Sequence, residues 1–155
     1  MERPIHETLR QDHARLRTVV ERVDALLRRR ARGVPPDRPD AMRALALEFA
    51  ARLGTHLTDE AEAESLLLGV LEANASSRGA VTTLRGEHGE LRSMLGSLVR
   101  TLDGAAGARR DEQIAVQLRD LVDLVRIHVR KEDVLILAAA QATAQPLPRR
   151  KGRVS

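Results

Sequence analysis

The sequence predicts an all-α protein, an antiparallel up-down-up-down four-helix bundle, and three observations lead there. The chain has 155 residues, the size of one ordinary domain, and 43% of them are hydrophobic, enough to bury a single core. It has no Trp, no Tyr and one Phe, Phe49. The core must therefore be built from Leu, Val, Ile and Ala, which favours helix packing over an aromatic-rich β-sandwich. Finally, apolar residues recur at spacings of three, four or seven along four segments of comparable length joined by short connections.

The first segment starts at Pro4, a good first-turn residue, and places Leu9, Leu16, Val20, Val23 and Leu27 on one face before ending near Gly33. The Pro-rich stretch 34–39 follows. The second, with Asp40 as its expected N-cap, runs Leu45, Phe49, Leu53, Ala63, Leu67 and Val70 and fades at residues 74–77. The third, capped by Ser76 or Ser77, reads Val81, Leu84, Leu91, Leu95, Leu98 and Leu102 and stops at Asp103-Gly104. The fourth starts near Asp111 and reads Ile114, Leu118, Leu121, Val125, Leu135 and Ala139 until Gln145-Pro146. The expected bundle is residues 1–145, followed by a basic, disordered tail over 146–155.

That tail holds the charge. The formal net charge is +4, and Arg149, Arg150, Lys151 and Arg153 account for it, leaving 22 basic and 22 acidic residues in the body. A neutral bundle without Trp or Tyr offers little to a nucleic acid, since base stacking needs aromatic faces. The absence of cysteine excludes a disulfide framework, a thiolate zinc site and a Cys nucleophile, so any metal must be held by His, Asp and Glu. The N-terminal stretch has no apolar region of signal-peptide type, and the longest apolar run, Val134–Ala140, is too short to span a bilayer. A cytoplasmic, membrane-free location is the expectation.

Each apolar stripe is interrupted once, and the interruptions are alike. His13 stands between Leu9 and Leu16, His56 and Glu60 between Leu53 and Ala63, His88 between Leu84 and Leu91, and His128 and Glu132 between Val125 and Leu135. A His-x-x-x-Glu pair lies on one helix face about 6 Å apart along the axis, so both side chains reach one small volume. Counted at about 1.5 Å per residue from the predicted helix ends, His13 is level with His56, and His88 with His128. Six such groups at one level of an aliphatic core need partners, because an unpaired buried charge costs several kcal/mol. Either a metal site or a buried His–Glu hydrogen-bond network would supply them. Six nitrogen and oxygen donors exceed what one zinc needs and are too nitrogen-rich for calcium or magnesium. They suit two iron ions sharing a solvent-derived oxo or hydroxo bridge, with manganese as the less favoured metal.

The set Asp-His-Ala-Arg-Leu (12–16), His-Leu-Thr-Asp-Glu (56–60), Glu-His-Gly-Glu-Leu (87–91) and His-Val-Arg-Lys-Glu (128–132) resembles the hemerythrin / HHE cation-binding family over roughly residues 4–142. The resemblance implies that His13, His56, His88 and His128 are terminal metal ligands and that Glu60 and Glu132 bridge. It implies a non-haem di-iron protein that binds or reacts with O2, peroxide or NO. The alternative is an iron- or oxygen-sensing module with a structural metal and no turnover. Oxygen-carrying hemerythrins have a further His one turn from the one on the third helix, where this chain has Leu84 and Arg92. They also usually place an Asp five residues after the last His, and here Glu132 precedes Asp133. The pattern is more similar to short bacterial hemerythrin-like proteins, some of which decompose peroxide, so peroxide- or O2-linked redox chemistry is the preferred expectation.

Further polar residues adjoin this set. His6 lies one heptad before His13, about 10 Å along the axis, and reads as a bundle-end residue or, in the alternative, a ligand or proton relay. Glu64, one turn past Glu60, is a candidate outer partner. Asp12, Asp59, Glu87 and Asp133 adjoin ligands in sequence and are candidate acceptors of imidazole N–H bonds, but neighbours on a helix point about 100° apart, so most are expected in solvent.

Overall fold

The structure is a computed structural model that describes residues 5–58, 61–73, 75 and 77–144, with residues 61–64, 67 and 142–144 described by their backbone alone. The described residues form five helices and no strand: α1 (Ile5–Ala31), α2 (Ala41–Thr58), α3 (Ala61–Glu72), α4 (Arg78–Asp103) and α5 (Ala108–Ala144). The second predicted segment is carried by two helices, α2 and α3, and the other three by one helix each. α1 packs on α2 and α5, and α4 packs on the same two, which closes an up-down-up-down ring. α3 continues the second arm, reaching α1, α4 and α5.

Local chemistry sets the helix ends. α1 stops in a Schellman motif: the Gly33 N–H donates to the Arg30 carbonyl and the Val34 N–H to that of Arg29, both at 3.0 Å, with Gly33 at φ 74°. Only glycine adopts that left-handed backbone at little cost. Arg28, Arg29 and Arg30 add positive charge where the α1 carbonyls need it. Ser77 stands at the N-cap of α4 but its hydroxyl makes no capping hydrogen bond. α5 starts at Ala108, three residues before the expected Asp111, because the Asp111 N–H already donates to the Gly107 carbonyl.

Two apolar clusters fill the bundle. The larger runs from Leu16 and Val129 to Leu27, Met42 and Ile114 and encloses Phe49, the lone aromatic. The smaller joins Leu68 and Leu71 of α3 to Val81, Leu84 and Ala139. Most predicted seam residues are buried, with Leu45, Leu95 and Leu135 only partly so. Val70 is the correction: it is 47% exposed, and Leu68 and Leu71 face the core instead. At about 3.6 residues per turn, Leu71 lies five full turns after Leu53 and shares its face, whereas Val70 lies about 100° from it.

Candidate metal centre

The polar residues of the interior lie together. α1 contributes Asp12 and His13, α2 His56, α4 His88, and α5 His128 and Glu132; all are buried except His88, whose side chain is 12% exposed. Ring centroids are 5.2 Å apart for His13 and His56, 4.6 Å for His88 and His128, and 6.1 and 6.2 Å from His56 to His128 and His88. Every Nε2 aims at the Glu132 carboxylate. Oε1 lies 3.3 Å from His56 Nε2 and 3.6 Å from His88 Nε2 and sits against His128 Nε2 one turn back on α5, while Oε2 lies 3.4 Å from His13 Nε2.

The outer ring nitrogens are held by acids. His13 Nδ1 is 2.7 Å from Asp133 Oδ1, His56 Nδ1 is 2.6 Å from Asp12 Oδ2, and His128 Nδ1 is 2.9 Å from Glu87 Oε2. Asp133 is in turn bonded by Arg17, and Glu87 by Lys131. A carboxylate can only accept, so each of these Nδ1 atoms carries the proton and donates, and in a neutral ring Nε2 keeps a lone pair pointing inward. Lone pairs then face a carboxylate that is itself an acceptor.

The family model for the hemerythrin HHE cation binding domain matches residues 5–140. The chain belongs to the hemerythrin HHE family. No curated protein and no solved structure matches it. An HHE domain is a cation-binding module, and no described helix is long and apolar enough to cross a membrane.

The residues of this HHE domain fit a cation. Nε2 of His13, Nε2 of His128 and Oε2 of Glu132 are buried without a hydrogen-bond partner, although buried polar atoms are almost always paired. Ligand atoms of His56, His88, His128 and Glu132 all lie within 4.8 Å of one another. Donors on opposite sides of one ion are about 4 Å apart, given metal–nitrogen bonds of about 2.1 Å, so small side-chain shifts suffice. Asp12, His13 and His56 form a second such group, but Asp12 is already engaged on the Nδ1 side of His56.

Charge is unevenly shared in the absence of a cation. Burial by itself lowers the His56 pKa, but hydrogen bonds to Asp12 and Glu132 and their negative charge outweigh it and raise it to about 10. Burial pushes Glu132 up, but the surrounding imidazoles of His128, His13, His56 and His88 hold it well below the usual carboxylate range. A proton on His56 thus relieves part of the acceptor clash that a metal ion relieves when bound.

Of the expected ligands, the structure brings together His13, His56, His88, His128 and Glu132; Glu60 and Asp59 lie outside the described residues. The Glu64 side chain is also outside them. His6 is partly buried on α1 and belongs to neither donor group. Asp12, Glu87 and Asp133 take the acceptor role toward imidazole that was one of their two readings, rather than lying in solvent. Each does point away from the ligand beside it, and for that reason meets the imidazole of a neighbouring helix: α1 to α2, α4 to α5, and α5 to α1. An acid directly before or after a ligand was the available signal. Arg92 donates to the Leu57 carbonyl at 2.9 Å, tying α4 to the last turn of α2.

Proposed function

We propose that this HHE domain holds a non-haem di-iron centre through His13, His56, His88, His128, Glu132 and Glu60, and that it binds or reacts with O2, peroxide or NO, peroxide- or O2-linked redox chemistry foremost. The observation that carries the reading is the convergence of four Nε2 atoms on one carboxylate while three of the rings are held from behind by acids. Iron bound there supplies a ferrous/ferric couple and coordination positions for a small ligand.

What the chain contributes is placement. Glu132 sends one oxygen toward His13 and the other toward His56, His88 and His128, the division that a bridging carboxylate needs. Asp133, Asp12 and Glu87 fix the ring orientation and tautomer of His13, His56 and His128 and strengthen them as donors. Leu9, Leu57, Leu84 and Leu91, all buried, keep bulk water from the interior. His88 is the ring that solvent reaches, so a small exogenous molecule approaches from its side.

Loading the metal-free protein anaerobically with ferrous iron tests this. We expect about two irons per chain by elemental analysis, a near-ultraviolet charge-transfer band after oxidation, and accelerated peroxide consumption. A folded protein that takes up no iron refutes the centre. Iron uptake without peroxide turnover, with O2 or NO changing the spectrum, favours the sensing module.

A further inference from the structure

The outer side of α5 carries an apolar line. Val116, Ile127 and Val134 are 54%, 51% and 68% exposed. At about 100° per residue, steps of 11 and 7 residues bring all three within roughly 20° of one another, along about 27 Å of helix. Scattered exposed apolar side chains are ordinary; three in register on one helix mark a contact face.

The four charges closest to this line are ordered by sign, with Arg119 farther round the helix. Asp120 and Asp123 flank its N-terminal half, Arg130 and Lys131 its C-terminal half. Lys131 reaches back to Glu87, whereas Asp120, Asp123 and Arg130 make no ion pair among the described residues. By the same helical angles, Asp120 and Lys131 stand on one side of the line, Asp123 and Arg130 on the other.

We propose that a second copy of this chain docks antiparallel on this face of α5, with the twofold axis level with residue 126. A twofold perpendicular to the helix preserves the side of the line on which each residue stands. It sets Asp120 opposite Lys131 and Asp123 opposite Arg130 of the copy. Ile127 meets Ile127, and Val116 comes beside Val134. A groove of about 500 Å³ between α4 and α5, lined by Ala80, Thr83, Leu84, Val134 and Leu135 and bordered by Arg130 and Lys131, lies where Val116 of the copy arrives. A parallel arrangement would set Asp120 against Asp123 and Lys131 against Arg130, which like-charge repulsion disfavours.

Sedimentation equilibrium of the full chain at low and physiological salt tests the pairing. The native chain should give twice the monomer mass, and Ile127→Glu the monomer mass. Asp123→Arg and Arg130→Asp should each weaken the dimer roughly tenfold or more, and the double variant Asp123→Arg/Arg130→Asp should recover most of the loss. A native chain that stays monomeric at about 0.1 mM, where even a weak dimer is populated, overturns the proposal. So does a double variant no tighter than the weaker single one, since rescue depends on the two charges facing each other.

Discussion

Replacing Asp12 by Asn removes one negative charge from behind His56 while keeping the shape of the side chain and an acceptor oxygen. Asp12 is 2% exposed and its Oδ2 is 2.6 Å from His56 Nδ1, a short bond of the charge-assisted kind. Unlike Glu87 and Asp133, it has no Lys or Arg partner among the described residues, so the imidazole feels its charge undiluted. Hydrogen bonds to charged groups contribute about 1.5–3 kcal/mol, and loss of a carboxylate behind a ligating histidine lowers metal affinity about 10–100-fold. One factor of ten is about 1.4 kcal/mol, so the two figures agree. We expect Asp12→Asn to weaken iron binding within that range in competition with a chromophoric chelator. Asp120→Asn on the outer face of α5 should change it by less than twofold. An Asp12→Asn protein that binds iron as tightly as its parent would refute the idea that the charge behind His56 sets the donor strength of the ring.

Glu132→Ala should abolish stable iron loading, read by elemental analysis of the folded variant; retention of both irons removes its assignment as the bridge. The metal-free protein should lose stability as pH rises from about 6.5 toward 10. The proton held by His56 favours the folded state fully below 6.5 and ceases to do so above the folded pKa; a thermal midpoint constant from pH 7 to 10 contradicts this. Glu132 acts oppositely: its contribution is present above about 4.5 and is lost in acid, so the same scan should fall off below that pH. Phe49→Ala should cost about 3–5 kcal/mol in urea unfolding, because Phe49 is fully buried in the larger cluster. Gly33→Ala should cost about 1 kcal/mol although a methyl group there meets no atom within 4 Å, the penalty coming from φ 74° alone.

The four arms and the convergence of His13, His56, His88, His128 and Glu132 were legible in the sequence because both rest on helical period, and a polar residue on an otherwise apolar stripe has only one direction in which to point. The inward face of α3 was not legible from steps of three and four alone: Val70 and Leu71 are equally apolar, and only a strict 3.6-residue period counted from Leu53 selects Leu71. Nor was the partnership of Asp12 with His56 rather than His13, which depends on how far each helix is rotated about its axis against its neighbour. That rotation is settled by side-chain packing across the bundle and leaves no trace in spacing along one chain.

At the level of the metal centre, three of the four contacts around the ring of arms are closed by an acid gripping an imidazole, and the fourth, between α2 and α4, is closed by Arg92 on the Leu57 carbonyl. Parting any of the first three pulls a tethered ring out of place. The seam between α2 and α4 carries none of these three tethers, and His88, the most accessible of the four rings, stands on its α4 side.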